Sequence, residues 1–223
     1  MENKSISLSI DEAKYMYDSN DEVIRNIALK AYSKEQLSFN FTKIKTFEDA
    51  CKALGLDYKK CLFKADAIAN DSKASAAMYK LNIIRKALNF GQDLHFAENP
   101  KDSYIYYPHN PFVTKSSTYY KNEIDSGKME VIGKVRCNGE EFKVLGGYAN
   151  INLLDGFGRF ESASGVADAD TDIALFGCTS KEIAQHFSRY FGMLITQARF
   201  GDIIEDFEII EICINVKSGN CFW

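Results

Sequence analysis

Thr179–Ala198 reads TSKEIAQHFSRYFGMLITQA, and its periodicity decides the fold. Ile183, Phe187, Tyr190, Phe191, Leu194, Ile195 and Ala198 recur at steps of three and four, the spacing of one face of an α-helix. Lys181, Gln185, His186, Ser188 and Arg189 fall mainly on the other side. Thr179 and Glu182 have capping-box spacing, so the threonine hydroxyl can accept the third helical N–H while the glutamate reaches back. A stripe this wide and aromatic needs a surface to lie on, and a sheet is the simplest one. Gly192 costs the helix about 1 kcal/mol relative to alanine, and close backbone approach at the packing surface is the expected reason.

The flanks supply the sheet. Downstream, Ile210, Ile212, Ile214 and Val216 alternate with Glu211, Cys213, Asn215 and Lys217, the pattern of a half-buried strand. Upstream, Asp172–Phe176 reads as another strand. Further back, Asn138-Gly139 signals a hairpin, because a type I′ turn needs two residues at positive φ. Pairing outward from that turn sets Arg136 opposite Glu141, Val135 opposite Phe142 and Ile132 opposite Leu145. It also sets Lys134 opposite Lys143, an unfavourable pair that suggests a solvated face. The strand–helix–strand order around Thr179–Ala198 allows a parallel crossover, but the hairpin favours a mainly antiparallel sheet.

The first part of the chain is helical. After a short extended lead-in at Ser5–Ile10, capping-box pairs recur at Ser9/Glu12, Ser19/Glu22 and Ser33/Gln36, with a weaker version at Thr46/Asp49. The second of these opens a helix whose stripe is Val23, Ile24, Ile27, Ala28 and Ala31, and Gly55 is placed to stop the fourth. A longer helix follows, capped by Asp71 or Ser72 and stopped by Gly91, with a stripe of Ala74, Ala77, Met78, Leu81, Ile84 and Leu88. Its Lys80, Arg85 and Lys86 suit a solvated face near a helix C-terminus and require no anion. The expected fold is therefore α+β: short N-terminal helices and one long helix, then a mainly antiparallel sheet covered by a C-terminal helix. The boundary falls where the period changes, giving a helical region 1–93 and an α+β region 94–223, read as one continuous folding unit.

The 223 residues are 46% apolar and 13% aromatic, enough to fill a core. A net charge of −4 argues against nonspecific binding to a polyanion, although a local basic patch escapes that test. No apolar run approaches the roughly 20 residues of a membrane span, and MENKSISLSI lacks the pattern of a signal peptide. Cys51, Cys61, Cys137, Cys178, Cys213 and Cys221 form no C-x-x-C pair, so reduced cysteines behaving as small apolar residues are expected.

Chemistry is harder to find. The chain contains none of H-E-x-x-H, G-x-S-x-G or G-x-x-x-x-G-K-S/T. DGFGRF, within a segment carrying Gly146, Gly147, Gly156, Gly158 and Gly165, contains a G-x-G without the rest of a dinucleotide fingerprint; turns and bulges account for it better. Asp168, Asp170 and Asp172 begin like a calcium loop, but Ile173 stands where glycine is needed and Thr179 where the bidentate glutamate is needed. A Cys–His pair such as Cys178 with His109 would meet only in space, and sequence leaves it open. No catalytic residue, metal ligand or cofactor is assigned, and a non-enzymatic protein is expected.

The surface most open to a partner is the interval holding all three prolines, Pro100, Pro108 and Pro111. It carries Tyr104, Tyr106, Tyr107, Phe112, Tyr119 and Tyr120, and with the terminal Phe222 and Trp223 these make up the candidate binding surface. The same tyrosines could be strand core, since aromatics favour strands. A protein partner, or a second copy of the chain, is the first expectation. Base stacking on single-stranded nucleic acid beside Lys115, Lys121 and Arg136 is the second, and a structural role in a virion the third.

Several stretches resemble one family together. DEAKYMYDSNDEVIRNIALKAYSKEQL and IKTFEDACKALGL are similar to the start, YKLNIIRKALNFG and YIYYP to the middle, and LFGCTSKEIAQHFSRYF to the C-terminal helix, of small proteins encoded by phages and prophages of gut Bacteroidetes. Members commonly carry tryptophans where this chain has Gln92 and Phe96; the hairpin and glycine-rich segment look inserted, and the acidic strand and SGNCFW tail added. The resemblance implies a phage-derived accessory protein made in a bacterial cytoplasm, with the virion as the other location. It transfers no catalytic residue.

Overall fold

The computed structural model describes residue 8 and residues 10–90, 104–114, 118, 120–154, 160–161 and 176–213. Two compact units divide the chain, Met1–Asn40 and Phe41–Trp223.

The first unit holds three short helices, α1 (Ile10–Tyr17), α2 (Glu22–Ala31) and α3 (Lys34–Ser38). The expected capping box at Ser33/Gln36 forms at α3. The one expected at Ser19/Glu22 does not. Asp21 caps α2 instead, accepting from the N–H groups of Val23 and Ile24, while Ser19 Oγ accepts from the Asp21 N–H. The carboxylate sits nearer the first free amides and adds charge at the positive end of the helix. The core here is small: Ala13, Ala28 and Leu37, with Met16, Tyr17 and Tyr32 packed around it. Ser9, the other expected cap, lies outside the described residues.

The second unit begins with a 3-10 turn (Phe41–Lys43), then α4 (Phe47–Ala53), α5 (Tyr58–Ala69) and α6 (Lys73–Leu88). Thr46 and Asp49 complete their capping box, and Gly55, at φ 66°, follows α4 as expected. Helix α5, capped by Asp57, was not anticipated; its only fully buried side chain is Ala65, so the sequence shows no wide stripe. Ser72 is the cap of α6. At its other end Asn89 is the C-cap and Phe90 takes φ 59°; the expected stop, Gly91, lies outside the described residues.

Strands β1 (Tyr104–His109) and β2 (Phe112–Val113), a short helix α7 (Lys121–Asp125), strands β3 (Glu130–Cys137), β4 (Glu140–Gly146), β5 (Tyr148–Leu154) and β6 (Phe160–Glu161), helix α8 (Lys181–Phe200) and strand β7 (Glu208–Ile212) complete the unit. Two sheets form, in the orders β1-β5-β6 and β2-β4-β3-β7, and every described pairing is antiparallel. The fold is α+β, as expected. The change from helix to strand near residue 94 is no break in packing, because α6 lies along α8 inside the second unit.

The hairpin turn has φ 50° at Asn138 and 75° at Gly139. Its register places Arg136 opposite Glu141, Val135 opposite Phe142 and Lys134 opposite Lys143. The expected Ile132–Leu145 pair is corrected: a bulge puts Val131 opposite Leu145 and turns Ile132 into the core. The lysine clash is relieved from the next strand, where Glu211 pairs with Lys134 and Glu208 with Arg136. A second irregularity between Lys134 and Val135 makes Ile209 and Ile212 the inward residues of β7 and leaves Ile210 exposed, against strict alternation. Ile214 and Val216 lie outside the described residues, as does Asp172–Leu175 of the strand expected before α8. Phe176 is buried, and Cys178 makes an isolated bridge with Tyr106.

Helix α8 is the axis of this unit. Its cap is Ser180, which accepts from the Ile183 N–H, rather than Thr179. Strands of both sheets and α6 all pack on it. That cover explains why Ser188, expected on a polar face, has no exposure at all.

Candidate functional site

The tyrosine–proline interval is mostly structural. Strand β1 runs antiparallel to β5, and Tyr106 also exchanges backbone hydrogen bonds with Cys178. Tyr107 is buried and fills core. Phe112 packs on the sheet core, its ring 6.2 Å from Phe142 and 5.2 Å from Phe200. Tyr120 packs beside Val113, Met129 and Leu145. Tyr106 is half-buried. Tyr119, Phe222 and Trp223 lie outside the described residues, and only the backbone of Tyr104 is described.

Beneath this interval a polar network ties the sheets to α8. Ser188 Oγ donates to the His109 carbonyl at 3.0 Å and accepts from the Gly147 N–H and from Asn110 Nδ2, both at 3.1 Å. Asn110 Nδ2 also donates to the Leu145 and Ser188 carbonyls. Gly192 is required here: a Cβ would run into the Asn110 amide and Ile132. The His109 ring lies against Tyr120 and Tyr148, with Nε2 3.5 Å from the Tyr120 hydroxyl. Burial, then the charge of Arg199, pushes the His109 imidazole below its ordinary value, so it sits neutral in this setting.

A second histidine behaves alike. His186 donates from Nε2 to the Ile44 carbonyl at 2.6 Å and packs against Phe41 and Tyr190. Burial lowers it most; the bond to Ile44 works in the other direction, and Lys45 and Arg189 add to the lowering. Cys178 is no partner for either. Its thiol donates to the Phe176 carbonyl at 3.4 Å, and burial pushes it up, which disfavours a thiolate.

Three further residues fix the frame without any sequence signal. Asn89 joins the end of α6 to the start of α8, donating to the Arg85 and Gly177 carbonyls and accepting from the Thr179 N–H at 2.9 Å. Asp206 accepts from the N–H groups of Asn138 and Gly139 at 2.7 Å, and those two bonds hold its carboxyl below the usual range. Asp202 receives the Ser72 hydroxyl and the Ala74 N–H at the start of α6. Apart from Arg85, each partner lies 67 or more positions away, beyond the reach of local pattern.

Two open apolar features stand out among the described residues. A groove of about 290 Å³ runs between α6, α8 and β7, lined by Ala76, Ala77, Met193 and Ile212 together with Lys73 and Lys80. In the first unit, α2 leaves Val23 69% and Ile27 46% exposed, with Ile24 beside them and Ala31 also in solvent. Of the five residues in its expected stripe only Ala28 is buried. Among the described residues no group of three or more His, Cys, Asp or Glu could hold a metal ion, and no helix is long and apolar enough to cross a membrane. Compared with protein-family models, curated proteins and solved structures, the chain matches none.

Proposed function

We propose that this is a non-enzymatic protein that works by binding another protein, through the apolar face of α2. The observation that carries the reading is a helix whose apolar stripe is left in solvent. Val23, Ile24 and Ile27 are each exposed while α2 gives its own unit one alanine. Burying side chains of this size is worth about 1.5–3 kcal/mol each, so the face is a ready source of association energy. A unit of 40 residues built on Ala13, Ala28 and Leu37 has little core of its own, and chains this small usually gain stability from a partner. The resemblance to phage- and prophage-encoded proteins makes a phage or bacterial host protein the natural partner.

Nucleic-acid binding has less behind it. Of the cations proposed to flank the tyrosines, Arg136 is shared by Glu208 and Glu141, and Tyr107 is buried.

A photoreactive amino acid at Ile27 in producing cells tests the proposal. The expected result is one discrete protein adduct that is absent when the same group replaces the exposed Lys59 of α5. An adduct pattern at Ile27 no different from that at Lys59 overturns it.

A further inference from the structure

We propose that the groove between α6, α8 and β7 binds a medium-chain carboxylate, its hydrocarbon chain lying in the groove and its head group paired with Lys73. The sequence of α6 sets the character of the site. Lys73, Ala76, Ala77 and Lys80 follow one another at helical spacing, so they share one face of the helix. Alanine side chains end at Cβ, and the space beside them stays open to the groove. A lysine stands on either side of the alanine pair, and the two are about 10 Å apart along the helix axis. Helix α8 contributes Met193 and Leu194, both buried. The irregularity in the pairing of β7 brings Ile209 and Ile212 to the same groove, where strict alternation would have given only one of them.

The charge of the lining has one sign. Lys73 and Lys80 line the groove and no carboxylate does. The acids of the surrounding elements are engaged elsewhere: Glu208 with Arg136, Glu211 with Lys134, and Asp202 with the Ser72 hydroxyl and the Ala74 N–H. Among the described residues neither groove lysine has a carboxylate within ion-pair distance. Lys80 is half-buried, with Nζ 6.0 Å from the centre of the Phe47 ring, whereas Lys73 is exposed. Lys73 is therefore the direct partner of the head group, and Lys80 adds positive potential. Size narrows the occupant further. At about 290 Å³ the groove stands at the lower edge of the small-ligand range, about 300–1,000 Å³. It is too small for a helix, which is about 10–12 Å across with its side chains. A single hydrocarbon chain ending in one carboxylate matches both the apolar lining and the charge. The site shares no residue with the α2 face and stands or falls without it.

The test titrates the full chain with decanoate, below its micelle-forming concentration, while the methyl NMR signals of isoleucine and methionine are followed. Ile209, Ile212 and Met193 should shift and saturate together. Ile203 and Ile210, which are 80% and 38% exposed, should stay in place. Octanoate, two methylenes shorter, should bind about tenfold more weakly, since each buried methylene is worth about a factor of four. Decylamine, the same chain with a positive head, should leave the groove signals unmoved. Lys73→Gln, an exposed change that leaves the packing intact, should weaken decanoate about twofold to fivefold. The inference is overturned if decylamine shifts the groove methyls as decanoate does, or if Ile203 and Ile210 shift equally. It is also overturned if Lys73→Gln leaves the affinity unchanged. Groove signals that move with protein concentration alone would assign the site to a second copy. Capture of the chain by phosphatidylglycerol vesicles, without a response to decanoate, would assign it to a lipid surface. Either result would contradict the proposal.

Discussion

Helices α8 and α2 are both amphipathic in sequence, and the protein treats them in opposite ways. In α8, Phe187 and Phe191 have no exposure and Met193, Leu194 and Ile195 are buried, because α6 and strands of both sheets cover it. In α2 an apolar stripe of similar spacing contributes only Ala28 to a core, and Val23 and Ile27 stay in solvent. A helical period thus shows which residues share a face, but not whether anything in the chain covers that face. For α8 the cover is supplied by α6 and strands of both sheets. For α2 it is supplied within its unit by two short helices, too little to hide the stripe.

The largest effect is expected in the buried helix. Phe187→Ala should cost about 3–5 kcal/mol of unfolding free energy, read by denaturant titration, since it empties a fully buried aromatic site. A loss near zero would mean that α8 is not the axis described. Gly192→Ala is next, at about 1–3 kcal/mol. Helix propensity alone would favour alanine, but the new Cβ meets an Asn110 amide held by three hydrogen bonds. A stabilised variant would contradict the close packing there.

That pair of residues also marks how far the sequence could be read. The stripe of α8, the hairpin turn with its first three cross-strand pairs, the capping boxes at Ser33 and Thr46, and the close approach at Gly192 were all legible, because each depends on residues a few positions apart. What was not legible depends on distant partners. Ser188 reads as a surface residue until α8 is packed against the sheets, and Ser180 and Asp21 displaced the expected caps by one and two positions. The bulges at Ile132 and Ile210 reassign faces in a way that alternation cannot foresee. For the candidate site the tyrosines were recognised as either core or surface, and Tyr107 and Phe112 pack as core. The exposure of α2 had no signature distinguishing it from burial.

Acid should separate the two units as well. His109 and His186 lie in the second unit, and burial lowers both below the ordinary 6.5. The unfolded chain therefore takes up protons first as pH falls. Stability is full above about 6.5 and declines below it through the lowered folded values, by at most about 1.4 kcal/mol per pH unit for each histidine. Denaturation series between pH 7.5 and 5 (roughly the span over which histidine titrates) should show this slope, and His109→Asn should flatten part of it. An unchanged slope in that variant would remove His109 from the account.

The smallest effect is the most telling. Val23→Ser combined with Ile27→Ser removes most of the exposed stripe from α2 while leaving Ala28 in place. If that face lies outside the core and waits for a protein partner, equilibrium unfolding of the purified double variant should match the unchanged chain within about 0.5 kcal/mol. A loss of about 2 kcal/mol or more would show that these side chains are buried in the folded protein, and the proposed binding face would not exist.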